Sequence, residues 1–82
     1  MRYKLGDMVE YSINGAYANF GVVIGEPHYS KDDIIVIATT FALGGPVNIM
    51  HIERKVGSDL ISAMQYRNRY EEKFPNFLKI HK

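Results

Sequence analysis

One run of β-branched residues limits what this chain can fold into. Residues 34–38 read Ile-Ile-Val-Ile-Ala, without a polar side chain. β-branched side chains favour extended backbone, and an apolar run of this length is typical of a central strand that is covered on both faces. We therefore expect a sheet with a packed layer on each side of this strand.

A hairpin is predicted before this run. Apolar residues alternate over Met8 to Ile13, and Asn14-Gly15 follows, a dipeptide that favours the two-residue type I′ turn. That turn pairs Val9 with Phe20, and a looser loop with pairing that resumes at Phe20 stays open as an alternative. The two-residue turn predicts one inward face, made of Val9, Tyr11, Ile13, Ala16, Ala18, Phe20, Val22 and Ile24.

Two further segments complete the predicted sheet. Gly44-Gly45-Pro46 is a turn signal, and the alternating residues from Val47 to Ile52 favour a fourth strand. A fifth strand forms if residues 52–56 bend into a short edge of their own. We therefore expect four or five strands.

The pattern changes to a helical period after Gly57. Ser58 is predicted to be the N-cap, with Asp59 in the first turn, and Pro75 ends the helix at or before Phe74. The tail that follows either docks through Phe77, Leu78 and Ile80 or frays. The apolar stripe expected to pack on the sheet is Leu60, Ile61, Ala63, Met64, Tyr70 and Phe74.

The first 52 residues resemble the SH3-like barrels of the Tudor and KOW type. The resemblance is carried by the segments 6–11, 20–23 and 33–36, which read Gly-Asp-Met-Val-Glu-Tyr, Phe-Gly-Val-Val and Asp-Ile-Ile-Val. It implies a mainly β fold, a small antiparallel barrel of 4–5 strands plus one C-terminal helix. Residues 1–57 would form the barrel, and residues 58–82 the helix and tail packed on the same single domain.

The chain is also similar to the MazF/PemK-like toxin ribonucleases. They share an SH3-like core that opens with a Gly-Asp strand and continues into a strand like residues 34–40. Their motif expects an Arg-Pro pair at the entry to the second strand, and the arginine acts in RNA cleavage. Phe20-Gly21 stands at that place here. The likeness therefore supports the fold and argues against the nuclease, which leaves a degenerate ribonuclease fold as a remote alternative.

Composition and charge narrow the remaining classes. The chain has no cysteine, and its net charge is only +1. Residues 1–52 carry three basic against five acidic side chains (−2), and residues 53–82 carry seven against four (+3). No apolar run approaches the roughly 18–20 residues of a membrane span, and the first seven residues lack the apolar stretch of a secretory signal. We therefore expect a cytoplasmic protein without membrane association.

Catalytic and metal-binding patterns are missing from the sequence. His28, His51 and His81 show no metal-ligand spacing, and no serine lies in a Gly-x-Ser-x-Gly motif. We therefore expect no metal, no cofactor and no catalytic residue. The predicted class is a non-enzymatic protein.

Three side chains are predicted to bind a protein partner. Tyr17 and Asn19 lie on the outward face of the predicted hairpin, and Tyr29 lies in the next connection. Exposed aromatic residues on the loops of small barrels are typical anchors for partners. The leading hypothesis is a protein-binding module, such as the small accessory or inhibitory factors that phages and mobile elements encode.

Nucleic-acid binding is the alternative function. The segment 66–70 interleaves aromatic and basic side chains, and Lys73 follows one turn later. The residues in question are Tyr66, Arg67, Arg69, Tyr70 and Lys73. The competing interpretation is that both tyrosines pack the helix onto the sheet, while Arg67 pairs with Glu71 and Arg69 with Glu72.

Overall fold

The computed structural model describes residues 2–13, 18–39 and 44–79 of the chain. The predicted Asn14-Gly15 turn and Tyr17 lie outside the described residues. Within them, the elements in chain order are β1 (Asp7–Ser12), β2 (Ala18–Gly25), β3 (Ile34–Ala38), β4 (Gly45–Asn48), a 3-10 turn (Ile49–His51), β5 (Ile52–Ser58) and α1 (Leu60–Lys73).

The strands form one antiparallel sheet in the order β4-β3-β2-β1-β5. The 3-10 turn carries the chain from one edge strand to the other. The predicted class, mainly β with one C-terminal helix, is confirmed, and of the two strand counts the five-strand alternative is observed. The fourth strand ends earlier than predicted, because the Asn48 side chain accepts a hydrogen bond from the Met50 amide at 3.0 Å and starts the turn.

Strand β3 is covered on both faces, as its sequence predicts. Residues 35–38 are each at most 1% exposed. Its alternate residues belong to two separate hydrophobic clusters. The strand cluster consists of Val9, Tyr11, Val23, Ile35, Ile37 and Val47. The helix cluster, on the opposite face, consists of Ile24, Val36, Ala38, Tyr70 and Leu78.

The predicted pairing of β1 with β2 is wrong by one residue. Val9 lies opposite Gly21 rather than Phe20, and Phe20 lies opposite Glu10. Since side chains alternate between faces, a one-residue shift moves every residue to the other face. For β2 this leaves Phe20 58% exposed and places Ile24 in the helix cluster, on the face opposite Val9. Ile13, one residue beyond the end of β1, is also 47% exposed instead of pointing inward.

The physical reason lies at Gly21. A Cβ atom at this position would collide with Ile37 Cγ2 and would lie 2.9 Å from the Ala38 carbonyl oxygen. Only glycine leaves room for the Ile37 side chain on this face. The alternation of apolar residues does not report such a volume constraint, so it favoured the large Phe20 as the inward residue.

The helix boundaries are close to the prediction, but its buried face differs. Asp59, not Ser58, is the N-cap: its carboxylate accepts a hydrogen bond from the Ser62 amide at 3.0 Å. The helix ends before Pro75 as predicted, and the expected burial of Ala63 and Tyr70 is confirmed. The expectation is wrong for the other four stripe residues, which are 42–76% exposed: Leu60, Ile61, Met64 and Phe74.

Candidate functional site

The segment that follows α1 turns back and docks on the connection after β2. Its backbone pairs with residues 26–28: the His28 amide donates to the Phe77 carbonyl at 3.0 Å, and the Lys79 amide donates to the Glu26 carbonyl at 2.9 Å. Leu78 between them is 7% exposed and belongs to the helix cluster. Of the two predicted alternatives for the tail, docking is therefore observed for residues 77–79; Ile80 lies outside the described residues.

Arg67 ties this segment to the rest of the molecule. Its guanidinium donates through Nη1 to the Ile24 carbonyl at 2.7 Å and through Nη2 to the Lys79 carbonyl at 2.9 Å. Its Nε lies 2.6 Å from Glu71 Oε1, which confirms the predicted pair. The side chain is only 14% exposed. One largely covered cation thus joins β2, α1 and the tail.

Four rings form a surface above this docked segment. We call His28, Tyr29, Phe74 and Phe77 the aromatic surface. The centroid of the Tyr29 ring lies 5.9 Å from the ring centroids of both His28 and Phe77, in edge-to-face geometry. The ring centroids of Phe77 and Phe74 are 6.4 Å apart. Tyr29 is 54% and Phe74 is 42% exposed.

Tyr70 supports the aromatic surface from below. Its ring is 3% exposed and lies 4.9 Å from Phe74 and 5.9 Å from Phe77. Burial, with the nearby Tyr29, raises the pKa of the Tyr70 hydroxyl, so the group stays neutral at physiological pH. The exposed rings therefore rest on a packed, uncharged layer.

Asn19 and Tyr29, the two predicted partner-binding residues that the structure describes, lie far apart. Tyr29 belongs to the aromatic surface, whereas Asn19 is exposed near the start of β2. At about 3.3 Å per residue, Asn19 lies roughly 20 Å along β2 from Gly25, the end of the strand nearer Tyr29. Tyr17 falls outside the described residues. Of the two described residues, Tyr29 has aromatic neighbours that extend it into a surface.

The predicted nucleic-acid residues point in different directions. Tyr70 is buried, and Arg67 is engaged with two carbonyl groups and one carboxylate. The Arg69 guanidinium lies 5.8 Å above the ring of the half-buried Tyr66, and Lys73 is exposed on the same side of α1. Three of the five residues thus remain accessible to a ligand.

A cleft of about 170 Å³ lies between the sheet and the first two turns of α1. We call it the Phe20 cleft, since the exposed Phe20 ring lines it beside Tyr66. Hydrogen bonds from the Ser62 amide and hydroxyl lower the pKa of the Asp59 carboxyl, which keeps a negative charge at one end. The full lining is Met8, Phe20, Gly21, Val22, Ala38, Thr39, Asp59, Ser62 and Tyr66.

Sequence reasoning missed Phe74 and Phe77 as surface residues. The helical period predicts that Phe74 packs inward, and the sequence predicts for Phe77 only that it docks the tail. The signal for both is the Pro75-Asn76 dipeptide, which is typical of a turn. Asn76 adopts a positive φ of 65°, and the Phe77 amide bonds back to the Phe74 carbonyl at 3.3 Å. The turn thus brings both rings to one side.

Two kinds of feature are absent from the described residues. Within residues 2–13, 18–39 and 44–79, no three histidine or acidic side chains are grouped to hold a metal ion. Over the same residues, no helix has the length and apolar character needed to cross a membrane.

No protein-family model matches the chain, and neither a curated protein nor a solved structure is significantly similar to it.

Proposed function

We propose that this chain is an SH3-like barrel that acts as a non-enzymatic protein-binding module. The strand order supports the SH3-like assignment, because β4 and β5 are neighbours in the chain but occupy opposite edges of the sheet. A single 3-10 turn joins them, so the sheet is curled enough to bring its two edges close together. This arrangement agrees with the barrels that the first 52 residues resemble.

The aromatic surface is the observation that carries the binding proposal. Aromatic side chains that stand on a rigid base contribute much of the energy of protein interfaces, since they bury a large area and lose little conformational freedom. Tyr29 and Phe74 are about half exposed, and Phe77 holds them in place. A net charge of +1 is compatible with this mode of binding, which needs no strong electrostatic attraction.

The test compares two pairs of exposed residues. Proteins captured from a nuclease-treated lysate by the wild-type chain are identified, and the affinity of the purified partner is measured for variants. Tyr29→Ala with Phe74→Ala should weaken binding by about 30-fold or more, the effect of a lost hot spot. The matched control is Met50→Ala with Ile61→Ala, whose side chains are 77% and 76% exposed outside the aromatic surface. Equal affinity of both double variants would refute the proposal.

A second candidate function, single-stranded nucleic-acid binding, is favoured by the arrangement beside the Phe20 cleft. Arg69 above Tyr66, with Lys73 one turn later and the exposed Phe20 ring nearby, combines cations with stacking surfaces. Labelled oligonucleotides should then bind the wild-type chain and lose affinity in Arg69→Ala with Lys73→Ala.

The matched control for this second candidate is Arg54→Ala, which removes an exposed cation on β5. Sub-micromolar binding that persists near about 200 mM salt and depends on Arg69 and Lys73 would make nucleic-acid binding the leading function. Binding that is lost at that salt, or is reduced equally by Arg54→Ala, would eliminate it.

A further inference from the structure

The aromatic surface is assembled from three separate parts of the chain. His28 and Tyr29 lie in the connection after β2, Phe74 follows the last turn of α1, and Phe77 belongs to the tail. Phe77 is the link, since it contacts the rings of both Tyr29 and Phe74. The surface is therefore complete only when the tail is docked.

The backbone contacts of the tail are few. Two amide hydrogen bonds surround the isolated bridge between Pro27 and Leu78. Lys79 adds a hydrogen bond from Nζ to the Ser30 carbonyl at 2.8 Å and an ion pair with Glu26 at 3.3 Å, with its own side chain 37% exposed. So short a pairing is weak on its own and opens readily. The burial of Leu78 in the helix cluster and the contacts of Arg67 therefore supply the further restraint on the segment.

The geometry at Arg67 requires an arginine. Its planar guanidinium carries five N–H donors, which here reach a carbonyl of β2, a carbonyl of the tail and a carboxylate of its own helix. Lysine has one nitrogen at the end of its side chain and cannot reach both carbonyls at once. The space for the guanidinium exists because position 25 is glycine: a Cβ atom there would collide with Arg67 Nη1.

We infer that Arg67 is a positioning residue for partner binding: by fastening the tail it places Phe77 and so completes the aromatic surface. This inference rests on the proposed function for its biological consequence, although the fastening itself is independent of any partner. It also gives the sequence segment 66–70 a role, in which the arginine acts inside the molecule and not on a phosphate.

The first experiment measures hydrogen exchange of the full-length chain without a partner. Arg67→Lys should speed exchange of the His28 and Lys79 amides by about 10-fold or more, because at least one of the two charge-assisted hydrogen bonds is lost. Amides of β1 and β3 should exchange as in the wild type, which shows that the sheet is folded. The matched control is Glu71→Gln, which removes the ion pair but leaves both carbonyl contacts, and should change exchange little. Unchanged exchange in Arg67→Lys would overturn the inference.

The second experiment separates positioning from direct contact with the partner. Pro27→Cys with Leu78→Cys can form a disulfide across the bridge, because the two residues are a non-hydrogen-bonded antiparallel pair, whose Cα atoms lie about 4.5 Å apart. The chain has no other cysteine that could compete. Added to Arg67→Lys, the oxidised cross-link should restore both slow exchange and partner affinity.

The outcomes distinguish this inference from the proposed function. Restored affinity without the guanidinium supports positioning, and it should be lost again on reduction of the disulfide. Slow exchange without restored affinity would overturn positioning and make Arg67 itself a contact. If Tyr29→Ala with Phe74→Ala leaves partner affinity unchanged, the proposed function fails, whereas the exchange result still decides whether Arg67 fastens the tail.

Discussion

The two faces of the sheet are packed by different parts of the chain. The strand cluster takes its six buried residues from four neighbouring strands. In the helix cluster, three residues come from β2 and β3, and the remaining two, Tyr70 and Leu78, come from α1 and the tail. The strands supply the buried residues of one face, with Tyr3 and Ile49 packed against them, whereas the other face is completed by the helix and the tail.

This difference explains why Phe20 and the aromatic surface are exposed. On the face of the strand cluster, side chains from four strands pack against one another and cover each other's apolar surface. A single helix covers only part of a sheet face, so Phe20 stays exposed at one end and the aromatic surface at the other. The face that needs a second layer is thus the face on which the Phe20 cleft and the aromatic surface lie.

The largest expected effect tests whether both faces belong to one folding unit. Ile35→Ala in the strand cluster and Ile24→Ala in the helix cluster should each lower the free energy of unfolding by about 2–5 kcal/mol, because both side chains are fully buried. Urea unfolding followed by circular dichroism measures the loss, with Ile61→Ala as the exposed control. A much smaller loss for Ile24→Ala would mean that the helix layer opens separately from the sheet.

A second change tests the register that divides the two faces. Gly21→Ala should cost about 1–3 kcal/mol of unfolding free energy, since its methyl group would collide with the Ile37 side chain. Gly45→Ala is the matched control, because nothing lies within 4 Å of a Cβ atom at that position. Similar stabilities of the two variants in urea would contradict the observed pairing of β1 with β2.

A smaller effect concerns the N-terminus of the helix layer. Asp59→Ala should lower the urea midpoint, because the Ser62 amide loses its acceptor, whereas Asp59→Asn should largely keep the cap. The hydrogen bonds lower the pKa of the Asp59 carboxyl in the folded state. The stability that the Asp59 charge adds to the folded state is therefore present above the ordinary aspartate pKa and is lost as the pH falls through the lowered pKa.

The difference in midpoint between the wild type and Asp59→Asn isolates this contribution from the other carboxylates. It should be present at about pH 7 and shrink toward about pH 3. A difference that stays constant over this range would exclude a lowered pKa for Asp59.

The smallest expected effect is at Phe20. Phe20→Ala should change the free energy of unfolding by less than about 1 kcal/mol, because the ring is 58% exposed. Thermal and urea unfolding of the variant check this. A loss of about 3–5 kcal/mol, the usual cost of removing a buried aromatic side chain, would instead support the register in which Phe20 points inward.

The sequence by itself determined the elements whose signals are local. The β-branched run of residues 34–38 predicts a strand covered on both sides, and Pro75 predicts the end of the helix. Both predictions are confirmed, because backbone preference and side-chain alternation act over a few residues. The burial of Ala63 and Tyr70 follows from helical period in the same way.

Only the tertiary structure decided which residues meet across long distances in the chain. The choice between Phe20 and Gly21 as the inward residue depends on the volume of Ile37, which lies on another strand. The sequence around Arg67 predicts an exposed charge on the helix surface. In the structure its guanidinium instead donates hydrogen bonds to the carbonyl groups of Ile24 and Lys79. The pattern of apolar residues predicts which side chains face inward, but not the space or the carbonyl groups that a side chain meets there. Both depend on packing between segments that are distant in the chain. The same packing places Tyr29 against Phe77 and so forms the aromatic surface.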